Sequence, residues 1–164
     1  MPNFLLRPMT PADIPAGMRL KTIAGWNQTE ADWQTLLALN PTGCFVTEVE
    51  GQVVGTVTTT NYADRLAWIG MVLVDSTFRR QGIATRLTEH ALSSLPASTT
   101  IKLDATPLGQ AVYERLGFVT EYSLHRLVLE QVPPLEPIDA AVAPLAAADW
   151  SSIAALDQAA FGAD

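Results

Sequence analysis

The sequence has few cysteines, few basic residues and no long apolar run. Its single cysteine, Cys44, excludes an intrachain disulfide, which favours a cytoplasmic location. The sequence contains ten Lys and Arg residues and seventeen Asp and Glu residues. The resulting net charge of −7 argues against a nucleic-acid-binding protein. No segment approaches the roughly 20 apolar residues of a membrane span, and the N-terminal residues lack the apolar run of a signal peptide. His90 and His125 have no partners at metal-ligand spacing, so we expect no metal site.

The apolar fraction of 48% in 164 residues is enough for one domain with its own core. Alternation and helical periodicity predict ten elements in the order β, α, α, β, β, β, α, β, α, β. The strands are expected over 3–10, 44–50, 53–62, 66–74, 100–105 and 118–130, and the helices from Thr10 onward and over 29–39, 80–95 and 107–117. This order predicts an α/β (α+β) fold with a mixed, mostly antiparallel central sheet flanked by helices.

The composition changes near residue 131. Residues 132–144 are rich in proline, which is typical of a linker, and residues 145–164 show the apolar spacing of a helix. We therefore predict a domain over 1–131, a linker over 132–144 and a helical tail over 145–164.

The segment "RRQGIATRL" (79–87) begins a predicted helix in an unusual way. Helices usually begin with Ser, Thr, Asp or Asn and an acidic first turn, whereas this one has Arg79, Arg80 and Gly82. The free N–H groups of a helix start, joined by two arginines, would suit a pyrophosphate. A solvated basic helix end is the alternative. The segment lacks the glycine pattern of a P-loop or of a dinucleotide-binding turn.

The longer segment "VLVDSTFRRQGIATRL" resembles the signature of the GNAT superfamily of N-acetyltransferases, with Arg79, Gly82 and Ala84 at the signature positions. Some thirty residues later, "AVYERLGF" (111–118) resembles the second motif of that superfamily. The resemblance covers roughly residues 3 to 130. It implies the GNAT-like acyl-CoA N-acyltransferase fold, with acetyl-CoA as the acetyl donor and no metal.

The resemblance also implies roles for individual residues. Tyr113 would protonate the departing thiolate, although a tyrosine that only packs in the core is the alternative. Thr106 stands where the superfamily often has Asn, and it can still cap a helix and donate one hydrogen bond. The backbone that pairs with the pantetheine arm would be that of Val72, Leu73 and Val74. The turn that binds the pyrophosphate would comprise Arg79, Arg80, Gln81, Gly82, Ile83, Ala84 and Thr85.

The expected activity is direct transfer of an acetyl group to an amine of a small molecule or a peptide. The sequence departs from the superfamily in one respect: the strand "LAWIGMVLV" carries no carboxylate that could accept the proton of the amine. Asp64, Glu48, Glu50 and Tyr62 with a water chain are the candidates, and none is preferred. If the carboxylate is truly absent, the alternative is a non-catalytic acyl-CoA-binding or regulatory module. Cys44 is expected to be a small buried apolar residue rather than a nucleophile.

The segment "DWSSIAALDQAAFGAD" (149–164) resembles the first helix of a further GNAT-like domain. The chain would then be part of a tandem protein. Alternatively, the tail packs on its own domain or on a second copy, which would make a homodimer.

Overall fold

The computed structural model describes residues 4–131, 134 and 142–162. Contacts divide the chain into two units, residues 1–118 and 119–164, which we describe separately. Most of the predicted linker over 132–144 lies outside the described residues, so the predicted domain division stays a prediction.

The first unit contains one five-stranded sheet in the order β1-β2-β3-β4-β5. Neighbouring strands are antiparallel except for β4 and β5, which are parallel. The predicted mixed, mostly antiparallel sheet is therefore confirmed. The strands are β1 (Leu5–Pro8), β2 (Phe45–Val49), β3 (Gln52–Tyr62), β4 (Leu66–Val74) and β5 (Thr100–Leu103).

The unit contains the four helices α1 (Ile14–Ile23), α2 (Glu30–Leu39), α3 (Ile83–Ser93) and α4 (Pro107–Arg115). Their starts follow local capping chemistry. Thr29 and Asp32 form a reciprocal capping box at the start of α2, which was predicted over 29–39. A single 3-10 turn precedes α1, and there the Thr10 backbone N–H donates to the Asp13 carboxylate at 2.8 Å.

The sheet separates two apolar cores. One core joins α1 and α2, through residues such as Leu20 and Trp33, to Met71 and Leu73 of β4. The other joins α3 to the opposite face, where Ile83, Leu87 and Ala91 contact Phe45, Val57 and Ile69.

Gly55 of β3 allows α3 to lie close to the sheet. A Cβ at this position would lie 2.9 Å from Ile83 Cγ2 and 3.0 Å from Leu87 Cδ1, so any larger residue would push the helix outward. The glycine thereby fixes the distance between the start of α3 and the end of β4.

The predicted strand over 118–130 is wrong for the described structure, because residues 119–130 form neither helix nor strand. Alternating apolar residues favour a strand only where a partner strand supplies hydrogen bonds. No strand among the described residues forms a β-ladder with this segment.

The second unit contains the predicted helix of the tail as α5 (Trp150–Phe161), which ends at Gly162 with φ of 79°. Its apolar side chains remain accessible, with Trp150 61% and Leu156 71% exposed. Among the helices that the structure describes, none combines the length and the apolar composition that a bilayer crossing requires.

Candidate active site

A β-bulge interrupts β4 in the centre of the sheet. Thr56 pairs with Leu73, and Thr58 pairs with Gly70, so Met71 and Val72 together stand opposite the single residue between the two threonines. Met71 has φ of 50°, in the left-handed region. The extra residue reverses the alternation of side chains along the strand. Ile69 therefore packs on the α3 side, whereas Met71 packs on the side of α1 and α2.

Beyond the bulge, one edge of β4 is open. The ladder with β5 stops at Ile69 and Leu103, and within the described part of the chain no strand pairs with β4 residues 70–74 on that side. Buried strand backbone normally has hydrogen-bond partners. The open edge is therefore a place where an extended ligand could pair like an additional strand.

The hydrogen-bond pattern shows which predicted backbone groups face this edge. The Asp75 N–H donates to the Val54 carbonyl at 2.9 Å, and bonding alternates along an antiparallel pair. Leu73 therefore turns its N–H toward β3, while Val72 and Val74 turn theirs toward the open edge. The side chain of Arg79 lies on the same edge, where its Nε donates to the Val74 carbonyl at 3.2 Å.

The turn after β4 brings the predicted pyrophosphate-binding residues together. Helix α3 begins at Ile83 rather than at residue 80, because Arg80 and Gly82 both have left-handed backbone, with φ of 61° and 78°. Arg79, Arg80 and Gln81 therefore lie in an exposed turn before the helix. The first α3 backbone bond that returns to this turn runs from the Arg86 N–H to the Gly82 carbonyl, at 3.0 Å.

The start of α3 is consequently open to an anion. The N–H groups of Ile83, Ala84 and Thr85 precede the first intrahelical bond and lie at the positive end of the helix dipole. A Cβ added at Gly82 would meet no atom within 4 Å. The left-handed backbone, rather than lack of space, is therefore what favours glycine at position 82. The space where a side chain would stand is empty.

Asp75 anchors this turn to helix α1. One of its oxygens accepts from Arg19 Nη1 at 2.5 Å, and the other accepts from the N–H and hydroxyl of Thr77 at 3.1 and 2.9 Å. Arg19 also donates to the Val53 carbonyl at 2.7 Å. Burial opposes the charge of Asp75, but the bonds from Arg19 and Thr77 outweigh it and lower the pKa of the carboxyl group. No local pattern in the sequence indicates this pair, because its two residues lie 56 positions apart.

Tyr113 lies on α4, whose start is capped by Thr106 through a bond from the Gly109 N–H at 3.2 Å. The ring of Tyr113 meets Phe118 edge-on at 6.0 Å, and Phe118 packs in the core that includes Val72. Burial raises the pKa of the Tyr113 phenol. The phenol is therefore protonated at neutral pH, and it has no hydrogen-bond partner among the described residues.

The structure places none of the suggested bases beside the bulge. Asp64 lies in the β3–β4 turn, where it bonds with Asn61, roughly 25 Å along the strand from Val72. Tyr62 lies at the same end of the sheet. Glu48 forms an ion pair with Arg7 at 2.9 Å, and Glu50 lies in the exposed β2–β3 turn with φ of 49°.

Neither Cys44 nor His90 belongs to the open edge of β4. Cys44 is fully buried, and burial raises the pKa of its thiol, as expected of a packing residue. His90 is an exposed residue of α3 that meets Phe45 edge-on, and His125 is exposed in the second unit. No cluster able to hold a metal ion is found among the residues that the structure describes.

The chain is similar to known acetyltransferases. The family described as "Acetyltransferase (GNAT) family" matches residues 15–118. An uncharacterized N-acetyltransferase of Bacillus subtilis (strain 168), YitH, is 33% identical over 101 residues, which are 61% of this chain and 36% of that protein. Holothin acyltransferase of Pseudoalteromonas sp. (strain SANK 73390) is 29% identical over 103 residues, or 63% and 35% of the two chains. The matched part thus spans about a third of the length of these relatives.

Solved structures agree with the sequence comparisons. The crystal structure of Ard1 from Thermoplasma volcanium superposes with a TM-score of 0.65 and 26% identity, over 71% of this chain and 82% of that one. The chain therefore has the fold of known acetyltransferases and belongs to the acetyltransferase (GNAT) family.

Proposed function

We propose that the protein is an acetyl-CoA-dependent N-acetyltransferase that acts on an amine of a small molecule or a peptide. The observation that carries the proposal is the open edge of β4, which leads directly into the cationic turn at the start of α3. A strand edge with free N–H groups suits the amide-containing pantetheine arm, and the turn suits the pyrophosphate.

The residues of this site fit the donor chemically. Val72 and Val74 offer backbone groups to the pantetheine arm, and Leu73 contributes packing on the other face. Arg79, Arg80 and Gln81 would hold the phosphates through their side chains. The residues from Gly82 to Thr85 contribute the backbone of the helix start, and Thr106 retains a hydroxyl proton to donate.

Bound acetyl-CoA would supply a thioester whose carbonyl carbon is open to attack. The backbone N–H of Val72, which faces the open edge at the bulge, would donate a hydrogen bond to the carbonyl oxygen as negative charge develops on that oxygen. As the new C–N bond forms and the C–S bond breaks, Tyr113 would give its proton to the departing sulfur, and the amine would release a proton to solvent. The burial that raises the pKa of Tyr113 keeps this proton in place until the thiolate forms.

The acceptor and the acyl group are the open parts of the proposal. The net charge of −7 would attract a cationic amine. One relative is named an acyltransferase for holothin, so an acceptor panel is best tested with more than one acyl-CoA. A cytoplasmic location and a homodimer, both predicted from the sequence, stay predictions.

Release of free thiol from acetyl-CoA in the presence of a panel of amines tests the activity. The Tyr113→Phe variant should bind acetyl-CoA with unchanged affinity in a calorimetric titration and lose about 10²–10⁴ in kcat, the usual contribution of a placed proton donor. A variant kcat within threefold of wild type would assign Tyr113 to packing alone.

Two other results would contradict the proposal as a whole. Binding of acetyl-CoA without thiol release for any amine would identify a non-catalytic acyl-CoA-binding module. No binding at all would remove the proposed donor site.

A further inference from the structure

The hydroxyl group of Thr58 is buried beside the bulge. Thr58 lies on β3 directly opposite Gly70, the last β4 residue before the bulge. The residue is 1% exposed, and its Oγ1 has no hydrogen-bond partner among the described residues. A buried hydroxyl without a partner destabilises a fold, so its presence at the centre of the site calls for a function.

Neighbouring threonines show that this strand can satisfy such groups. Thr56 lies two residues away and therefore on the same face, and its hydroxyl donates to the Met71 carbonyl at 2.7 Å. Thr59 is also buried without a partner, but it pairs with Ile69 and, as the next residue along, points to the α3 face. Thr58 thus differs from Thr56 in having no partner and from Thr59 in the face that it occupies.

The missing side chain of Gly70 leaves room next to the Thr58 hydroxyl. Apart from the chain neighbours of Gly70, one described atom lies within 4 Å of the point where a Gly70 Cβ would stand, and it is Thr58 Oγ1 at 3.6 Å. Gly70 itself is partly exposed. The buried hydroxyl therefore lies next to the partly exposed Gly70 and to the backbone of the bulge.

We propose that the hydroxyl of Thr58 contacts the acceptor amine, where it orients the nitrogen lone pair toward the thioester and passes on the proton that the nitrogen loses. The inference rests on the proposed function and adds the residue that serves in place of the missing β4 carboxylate. Thr58 Oγ1 accepts an N–H bond from the amine and gives its own hydrogen to a water molecule. The nitrogen forms the C–N bond, its proton leaves through Thr58 to water, and the departing sulfur receives a different proton.

Three variants separate this role from packing. Thr58→Val keeps the shape and removes the hydroxyl, Thr58→Ser keeps the hydroxyl, and Thr59→Val removes the equally buried hydroxyl on the other face. With an amine that wild type acetylates, we expect Thr58→Val to lower kcat/KM for the amine at least tenfold. The KM of Thr58→Val for acetyl-CoA should not change. Its melting temperature should not fall, because the substitution removes a buried hydroxyl that has no hydrogen-bond partner. Thr58→Ser should retain most of the activity, and Thr59→Val should behave like wild type.

Loss of activity in both Val variants, or in neither, would overturn the proposal. A crystal structure with coenzyme A and methylammonium gives a readout that does not depend on turnover. Thr58 Oγ1 should then lie within hydrogen-bond distance of the amine or of a water between them, and an Oγ1 bonded only to protein atoms would contradict the proposal. Failure of the proposed function would instead appear as wild-type protein that does not bind acetyl-CoA in calorimetry.

Discussion

Arg80 combines a strained backbone with a charge at the proposed phosphate site, and the two can be separated by mutation. Its φ of 61° places a non-glycine residue in the left-handed region, which costs about 1–2 kcal/mol. Arg80→Gly removes both the strain and the charge, whereas Arg80→Gln removes only the charge. Gly82 is less suitable for this test, because with φ of 78° any substitution there is strained whatever its charge.

The two variants should therefore affect stability differently and binding alike. Arg80→Gly relieves the backbone strain of the folded state, but glycine also raises the entropy of the unfolded chain, which offsets part of the gain. We therefore expect this variant to be more stable by about 0.5–1 kcal/mol, or roughly 2–5 °C in melting temperature. Arg80→Gln should leave the melting temperature unchanged. Both should weaken acetyl-CoA binding about tenfold at low salt, which corresponds to about 1.4 kcal/mol for an exposed charge-assisted hydrogen bond.

Calorimetric titration and thermal unfolding measure the two effects. Arg65→Gln is the matched control, because Arg65 is exposed in the β3–β4 turn at the other end of β4 and carries the same charge. Arg65→Gln should leave affinity unchanged, and the effect at Arg80 should shrink as salt is raised. A lower melting temperature for Arg80→Gly, or wild-type affinity for Arg80→Gln at low salt, would refute the reasoning.

Two further predictions concern stability and assembly. The Arg7 guanidinium holds the pKa of Asp13 at about 2, below the ordinary 3.8, against the opposing effect of burial. The resulting stabilisation of about 2 kcal/mol is thus present above pH 4 and lost as pH falls toward 2. Urea unfolding should show the loss in wild type and not in Asp13→Asn, and equal pH profiles would contradict it. The exposed apolar side chains of α5 should make the full chain self-associate, whereas a chain ending at Glu130 should be monomeric by light scattering. A monomeric full chain with a protease-sensitive tail would contradict the second prediction.

Local patterns in the sequence were sufficient to predict the elements of the first unit. The Thr29 capping box, the apolar run of β4 and the periodicity of α3 each place an element within three residues of its observed bounds. These signals act over one or two turns, so they can be read without knowledge of the partners. The segment over 119–130 shows the limit of that reading, because its alternation implies a partner strand that the sequence does not identify.

The central part of the candidate site was harder to predict, because much of it consists of backbone rather than side chains. Arg79, Gly82 and Tyr113 could be predicted because they belong to sequence motifs. The left-handed backbone of Met71 and Arg80 could not be predicted, because neither residue type favours that conformation. Gly70 within a strand was the one local signal of a bulge.

The group that accepts the proton of the amine could not be identified from the sequence for the same reason. Each acidic candidate near β4 in the sequence is held in a turn or an ion pair elsewhere. The burial of a group, and whether it has a partner, depend on the pairing of β3 with β4 and on the bulge between them. Thr58 is one of several threonines in "TVTTT" when read as sequence. Only the register sets it apart, by placing Thr56 against the Met71 carbonyl, Thr59 on the other face and Thr58 alone against the space beside Gly70.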